Sequence, residues 1–116
     1  MSTQINAVYQ DQISTVMDSP NVLPAGTFVF LNWSAGSELV SGSSAKIELY
    51  WDADGTGTNN VLVDAIYTAS ETYQHDLDPN TQYSCDGTNA RFHIIRTVLT
   101  GSTAREIYAQ VQGTIL

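Results

Sequence analysis

Ala90-Arg-Phe-His-Ile-Ile-Arg-Thr-Val-Leu99, then Thr100-Gly-Ser102, then Ala104-Arg-Glu-Ile-Tyr-Ala-Gln-Val-Gln112, is the stretch that sets the fold class. In the second run Ile107, Ala109 and Val111 fall on one side. Glu106, Tyr108, Gln110 and Gln112 fall on the other. A period of two, apolar against polar, is the pattern of a half-buried strand. The first run is rich in β-branched and aromatic residues, which suit a pleated surface. A short connection containing glycine between two such runs predicts a β-hairpin.

Working outward, the same pattern recurs. Residues 45–51 alternate, with Ile47, Leu49 and Trp51 on one face and Lys46, Glu48 and Tyr50 on the other. Residues 27–33, 61–68 and 71–77 read as further strands. Gly36 to Ser44 reads as a Gly/Ser-rich loop, and Asp52 to Asn60 as a polar turn. Residues 5–9 and 13–17 read as two short strands, against a rival helix over 5–17 that Ile5, Val8, Tyr9, Ile13 and Val16 also fit. Ser19-Pro20-Asn21 and Leu23-Pro24-Ala25-Gly26 then break the chain, since proline lacks a donor and glycine permits a turn. The expectation is an all-β chain, a single antiparallel β-sandwich or jelly-roll-like barrel with an extended N-terminal arm. Residues 1–20 are the arm and 21–116 the β domain. The predicted core includes Phe28, Phe30, Ile47, Leu49, Trp51, Phe92, Ile94, Ile107 and Val111.

Composition narrows the function. The chain has 116 residues, 42% of them hydrophobic and 14% charged, with Lys+Arg 4 against Asp+Glu 12 and a net charge of −8. One domain of this length can bury a core without metal or disulfide. Four cations make no basic footprint, so neither nucleic acid nor an anionic membrane surface is an expected partner. A lone cysteine, Cys85, excludes an intrachain disulfide and a Cys-built zinc site. No apolar run approaches a membrane span.

Three features are candidate sites. Asp52-Ala-Asp54-Gly-Thr-Gly-Thr58 resembles the start of a calcium loop, with Asp52 and Asp54 as candidate ligands. The closing position, where Glu is needed, is Val63, and Asp64 comes one residue late inside a strand. An acidic turn is the expected reading, with no metal and no cofactor. His75, Asp76, Asp78, Cys85 and His93 have acid–base and metal-ligating chemistry but no ligand spacing, and no nucleophile-elbow motif is present. Cys85 lies in a turn-like stretch, Tyr83-Ser-Cys-Asp-Gly87. His93 is expected to be a half-exposed structural residue, and the chain is not expected to be an enzyme. Tyr108 shares its strand face with Gln110 and Gln112, an uncharged polar surface suited to an interface. The apolar residues of the N-terminal segment lack an evident place in the sheet. Ile5, Val8, Tyr9, Ile13 and Tyr108 are therefore the expected partner-binding residues.

The runs Ile47-Glu-Leu-Tyr-Trp-Asp-Ala-Asp-Gly-Thr-Gly57, Leu62-Val-Asp-Ala-Ile-Tyr67, Gln74-His-Asp-Leu77, Gly87-Thr-Asn-Ala-Arg-Phe-His-Ile-Ile-Arg96 and Ala104-Arg-Glu-Ile-Tyr-Ala109 resemble small structural proteins of tailed bacteriophages. The resemblance covers residues 45–112 and is one of style and segment order. It implies a capsid decoration, or cement, protein: a non-enzymatic, β-rich, often trimeric homo-oligomer on the capsid surface of the virion, partnered by capsid protein. It carries over no residue role. The alternative is a tail-associated or carbohydrate-binding β-sandwich module.

Overall fold

The structure, a computed structural model, describes residues 3–11, 16–18, 23–37, 42–53, 60–68, 72–101 and 107–116. Among these residues there are nine strands and no helix: β1 (Thr3–Asp11), β2 (Val16–Asp18), β3 (Gly26–Ser37), β4 (Ser44–Asp52), β5 (Asn60–Thr68), β6 (Thr72–Asp76), β7 (Tyr83–Cys85), β8 (Arg91–Thr100) and β9 (Ile107–Ile115). They form two antiparallel sheets. The first has the order β1-β9-β3-β6, with β7 also on β3, and the second the order β2-β8-β4-β5. The pairs β1–β9, β2–β8, β3–β6 and β4–β5 are nested along the chain. One long antiparallel ribbon has been rolled up so that its two ends close it. With β7 set aside, these eight strands have jelly-roll order, the double-sheet solution to the problem of exposed strand edges.

The fold class is as the sequence predicts, and the nine expected core residues are each no more than 4% exposed. Phe28, Phe30, Trp51, Phe92 and Tyr83 form an aromatic cluster at one end of the sandwich. Phe28 meets Phe30 edge-on at 4.7 Å, and Trp51 meets Tyr83 at 5.0 Å. Edge and offset contacts of this kind place the positive rim of one ring against the negative face of another.

Four expectations are corrected. The hairpin at Thr100–Ser102 does not form, because β8 and β9 lie in different sheets. Alternation sets which face of a strand is buried, not which strand lies beside it, and both runs satisfy that rule from opposite sides of one core. The segment at residues 5–9 has a place in the sheet: Thr3–Asp11 pairs along its whole length with β9, from Thr3 opposite Ile115 to Asp11 opposite Ile107. Val16–Asp18 pairs with β8 in the other sheet, while Ile13 lies outside the described residues. Gly36 and Ser37, read as the start of a loop, belong to β3. Tyr83–Cys85, read as a turn, is a short strand opposite Gly26–Phe28.

Two bulges determine what the core contains. Between Phe30 and Asn32 the register of β3 against β9 slips by one, leaving Leu31 extra and exposed. Strict alternation from Phe28 and Phe30 would turn Trp33 and Ala35 outward. The slip turns both inward, and both are fully buried. A second slip pairs Leu49 with Asp64 but Tyr50 with Leu62, leaving Val63 extra and packed against the core. Asp64 faces the core side in phase with Ile66, opposite the buried Leu49.

Candidate functional site

Two polar clusters come from these turns of the chain. Trp33 on β3 donates its indole N–H to Asp64 Oδ2 at 2.8 Å, and His75 Nδ1 on β6 lies 2.7 Å from the same oxygen. Asp64 belongs to one sheet and its two partners to the other, so the cluster clasps the sandwich along one edge. Burial pushes the Asp64 carboxyl up. The hydrogen bonds from Trp33, His75 and the Ala65 backbone outweigh this and hold it below the usual carboxylate range. The second cluster is His93 Nε2 against Asp52 Oδ2 at 2.8 Å. Asp52 is fully buried and His93 is 7% exposed, so the expected half-exposed histidine is instead a buried partner. Asp52, the first candidate calcium ligand, carries this pairing. Asp54 lies outside the described residues.

The histidines and the cysteine are not assembled into one centre. His75 serves the sandwich edge, His93 sits on β8 and Cys85 on β7 of the other sheet. Burial pushes the Cys85 thiol up to about 11, with the Asp86 charge adding to it. Among the described residues no three His, Cys, Asp or Glu side chains are grouped to hold a metal. Asp86 accepts hydrogen bonds from the backbone N–H of Thr88 at 2.8 Å and Asn89 at 2.7 Å. Asp78 accepts from Asn80 N–H at 2.9 Å and the Thr81 hydroxyl at 2.7 Å. Both aspartates are turn-forming residues, and these hydrogen bonds lower their pKa values.

The outer face of the β1-β9-β3-β6 sheet is the candidate site. On β9, Tyr108, Gln110, Gln112 and Thr114 point outward while Ile107, Ala109, Val111 and Ile115 are buried. The register extends this face across the sheet. Gln10 stands opposite Tyr108, Val8 opposite Gln110, Asn6 opposite Gln112 and Gln4 opposite Thr114. On the other side Ser34 stands opposite Gln110 and Asn32 opposite Gln112, and these continue to Gln74 and Asp76 on β6. On β9, β3 and β6 the described side chains of this face are carboxamides and hydroxyls with one tyrosine, and Val29, opposite Thr114, is buried at one end; β1 adds register positions beside them. The face's one charge among the described residues, Asp76, is at the margin.

The sequence reading placed Tyr108, Gln110 and Gln112 on one face, as found. It did not join them to the β1 and β3 residues, because only the register reveals that. Val8 falls at a register position on this face, while Ile5 stands opposite Gly113 and packs against the core. Tyr9 stands opposite the buried Ala109.

No protein-family model and no curated protein sequence matches this chain. Among solved structures, the chain is similar to one described as the acidic stable capsid structure of Helicobacter pylori bacteriophage KHP30. The TM-score is 0.47 at 10% identity, over 100% of this chain and 94% of that one. It is also similar to a chain of infectious bursal disease virus, Gt strain, with a TM-score of 0.47 at 12% identity over 99% of this chain. A chain of the Gx strain gives a TM-score of 0.46 at 10% identity over 99% of this chain. This chain spans 33% of each of the two bursal disease virus chains.

Proposed function

We propose that the chain is a non-enzymatic virion structural protein of the decoration, or cement, type. It binds the outside of a capsid and bridges capsid subunits. The observation that carries this reading is the uncharged carboxamide and hydroxyl face around Tyr108, Gln110 and Gln112. Glutamine and asparagine each offer both donors and acceptors, so such a plane can match a polar protein surface. It is buried at lower desolvation cost than lysines or carboxylates would be. The resemblance over residues 45–112 supports the same reading. The jelly-roll order is compatible with it, since that fold recurs in capsid and lectin domains, but a fold alone does not assign a function. The contact segment is β1, the open edge of this sheet, together with the neighbouring β9 residues.

A second reading shares the same observation. Carboxamides beside a tyrosine also suit a neutral polysaccharide, with hydrogen bonds to sugar hydroxyls and stacking on the ring. Co-sedimentation with particles that lack the protein separates the two. Saturable particle binding with a blank glycan array supports the capsid reading, and the reverse supports the carbohydrate module. Deleting residues 1–20 is a poor test, because it removes two strands that pair with β9 and β8.

A further inference from the structure

The outer face of the other sheet has different chemistry. Across β5, β4 and β8 the register sets Tyr67, Lys46 and Thr97 in one row, Ala65, Glu48 and Ile95 in the next, and Leu62, Tyr50 and His93 in the third. Tyr67 is 64% exposed and Leu62 52%, and Leu99 further along β8 is 50% exposed. Between them lies one cation and one anion. Lys46 Nζ is 3.4 Å from Glu48 Oε1, and Tyr50 donates its hydroxyl proton to Glu48 Oε2 at 2.7 Å. On β5, β4 and β8 the cation and anion of these rows cancel, in a chain of net charge −8, while β2 adds Asp18 at the end of the third row. Apolar side chains exposed together on a neutral sheet face mark an interaction surface.

We infer that this face pairs with the same face of a second copy. Charge complementarity selects that occupant. Lys46 and Glu48 lie two residues apart on one strand. A two-fold axis running across the strands at Ile47 places Lys46 over Glu48 of the other copy and Glu48 over its Lys46. A self-complementary patch of this kind is what an isologous dimer requires. Tyr67, Leu62 and Leu99 ring the charged centre and exclude water from it. Asp18 on β2 continues the third row beside His93, and Asp52 pairs with His93, so both lie at the margin of the patch, away from Lys46 and Glu48. The acidic residues elsewhere stand off it. They repel a second copy elsewhere and draw a basic partner away from this face.

The dimer is independent of the capsid reading and is measured without particles. Light scattering on the eluting full-length chain gives its mass. The expected result is a dimer for the unaltered chain and half that mass for Lys46→Glu and for Glu48→Lys. An equimolar mixture of the two variants returns to the dimer mass, because one face is then doubly acidic and the other doubly basic. Circular dichroism confirms that each variant keeps its strands. If Glu48→Lys does not fold, Tyr67→Lys, at a strongly exposed position, carries the same decision and is expected to be monomeric. A monomeric or trimeric unaltered chain, variants that keep the dimer mass, or a mixture of folded variants that stays monomeric would each overturn the inference.

Discussion

Gly113 sits where two sheet neighbours leave no room for a side chain. A Cβ there would fall on the ring of Phe28 and 2.7 Å from the carbonyl oxygen of Val29. Phe28 is fully buried and cannot swing away. Gly113→Ala is expected to destabilise the protein by about 1–3 kcal/mol, the usual range for overpacking a core. The shift in the urea midpoint measures it, and an unchanged midpoint would mean that Phe28 yields freely. Cys85 poses the opposite case, a reactive residue made inert by its surroundings. With its thiol raised to about 11, almost no thiolate exists at neutral pH. Native protein should react with a thiol reagent only after unfolding, and prompt native labelling would show that β7 opens readily.

Strands were legible in the sequence where alternation was unbroken. Ile47, Leu49 and Trp51 on β4 and Ile107 and Val111 on β9 needed nothing beyond a period of two. The bulges were not legible. Leu31 in Phe30–Asn32 and Val63 beside Asp64 carry no glycine or proline to mark them. The first hid the burial of Trp33, and the second hid the packing of Val63 against the core. Residues that depend on pairing were lost for the same reason, since register is a property of two strands. Hence the clasp of Trp33, Asp64 and His75, and the reach of the Tyr108 face onto β1 and β3, appear only in the fold. The clasp makes a prediction of its own. Because the folded-state pKa of Asp64 is lowered, its stabilising effect is present above the unfolded carboxylate value of about 4. That effect fades as the pH falls through the lowered folded value. Asp64→Asn should lower the melting temperature at neutral pH, and the difference from the unaltered protein should shrink on acidification. A difference that is constant with pH would show that Asp64 acts through packing alone.

At the scale of the whole molecule, the rolled ribbon produces two outer faces of different chemistry from one short chain. The β1-β9-β3-β6 face is mostly polar, with Asp76 as its one charge among the described residues, and the β5-β4-β8 face is apolar around one Lys46–Glu48 pair. A bridging protein needs two contacts of this kind, one for the surface it holds and one for its neighbour. The negative charge on the rest of the molecule disfavours unspecific association. The role of the first face is tested most directly by the affinity of the full chain and of Gln112→Lys for capsid particles stripped of the native protein. Gln112 lies mid-face between Asn6 and Asn32, so a lysine there buries a charge at the contact. The expected result is saturable binding of the unaltered chain and an affinity at least about tenfold weaker for the folded variant. Equal binding by both, or no binding by the unaltered chain, would contradict it.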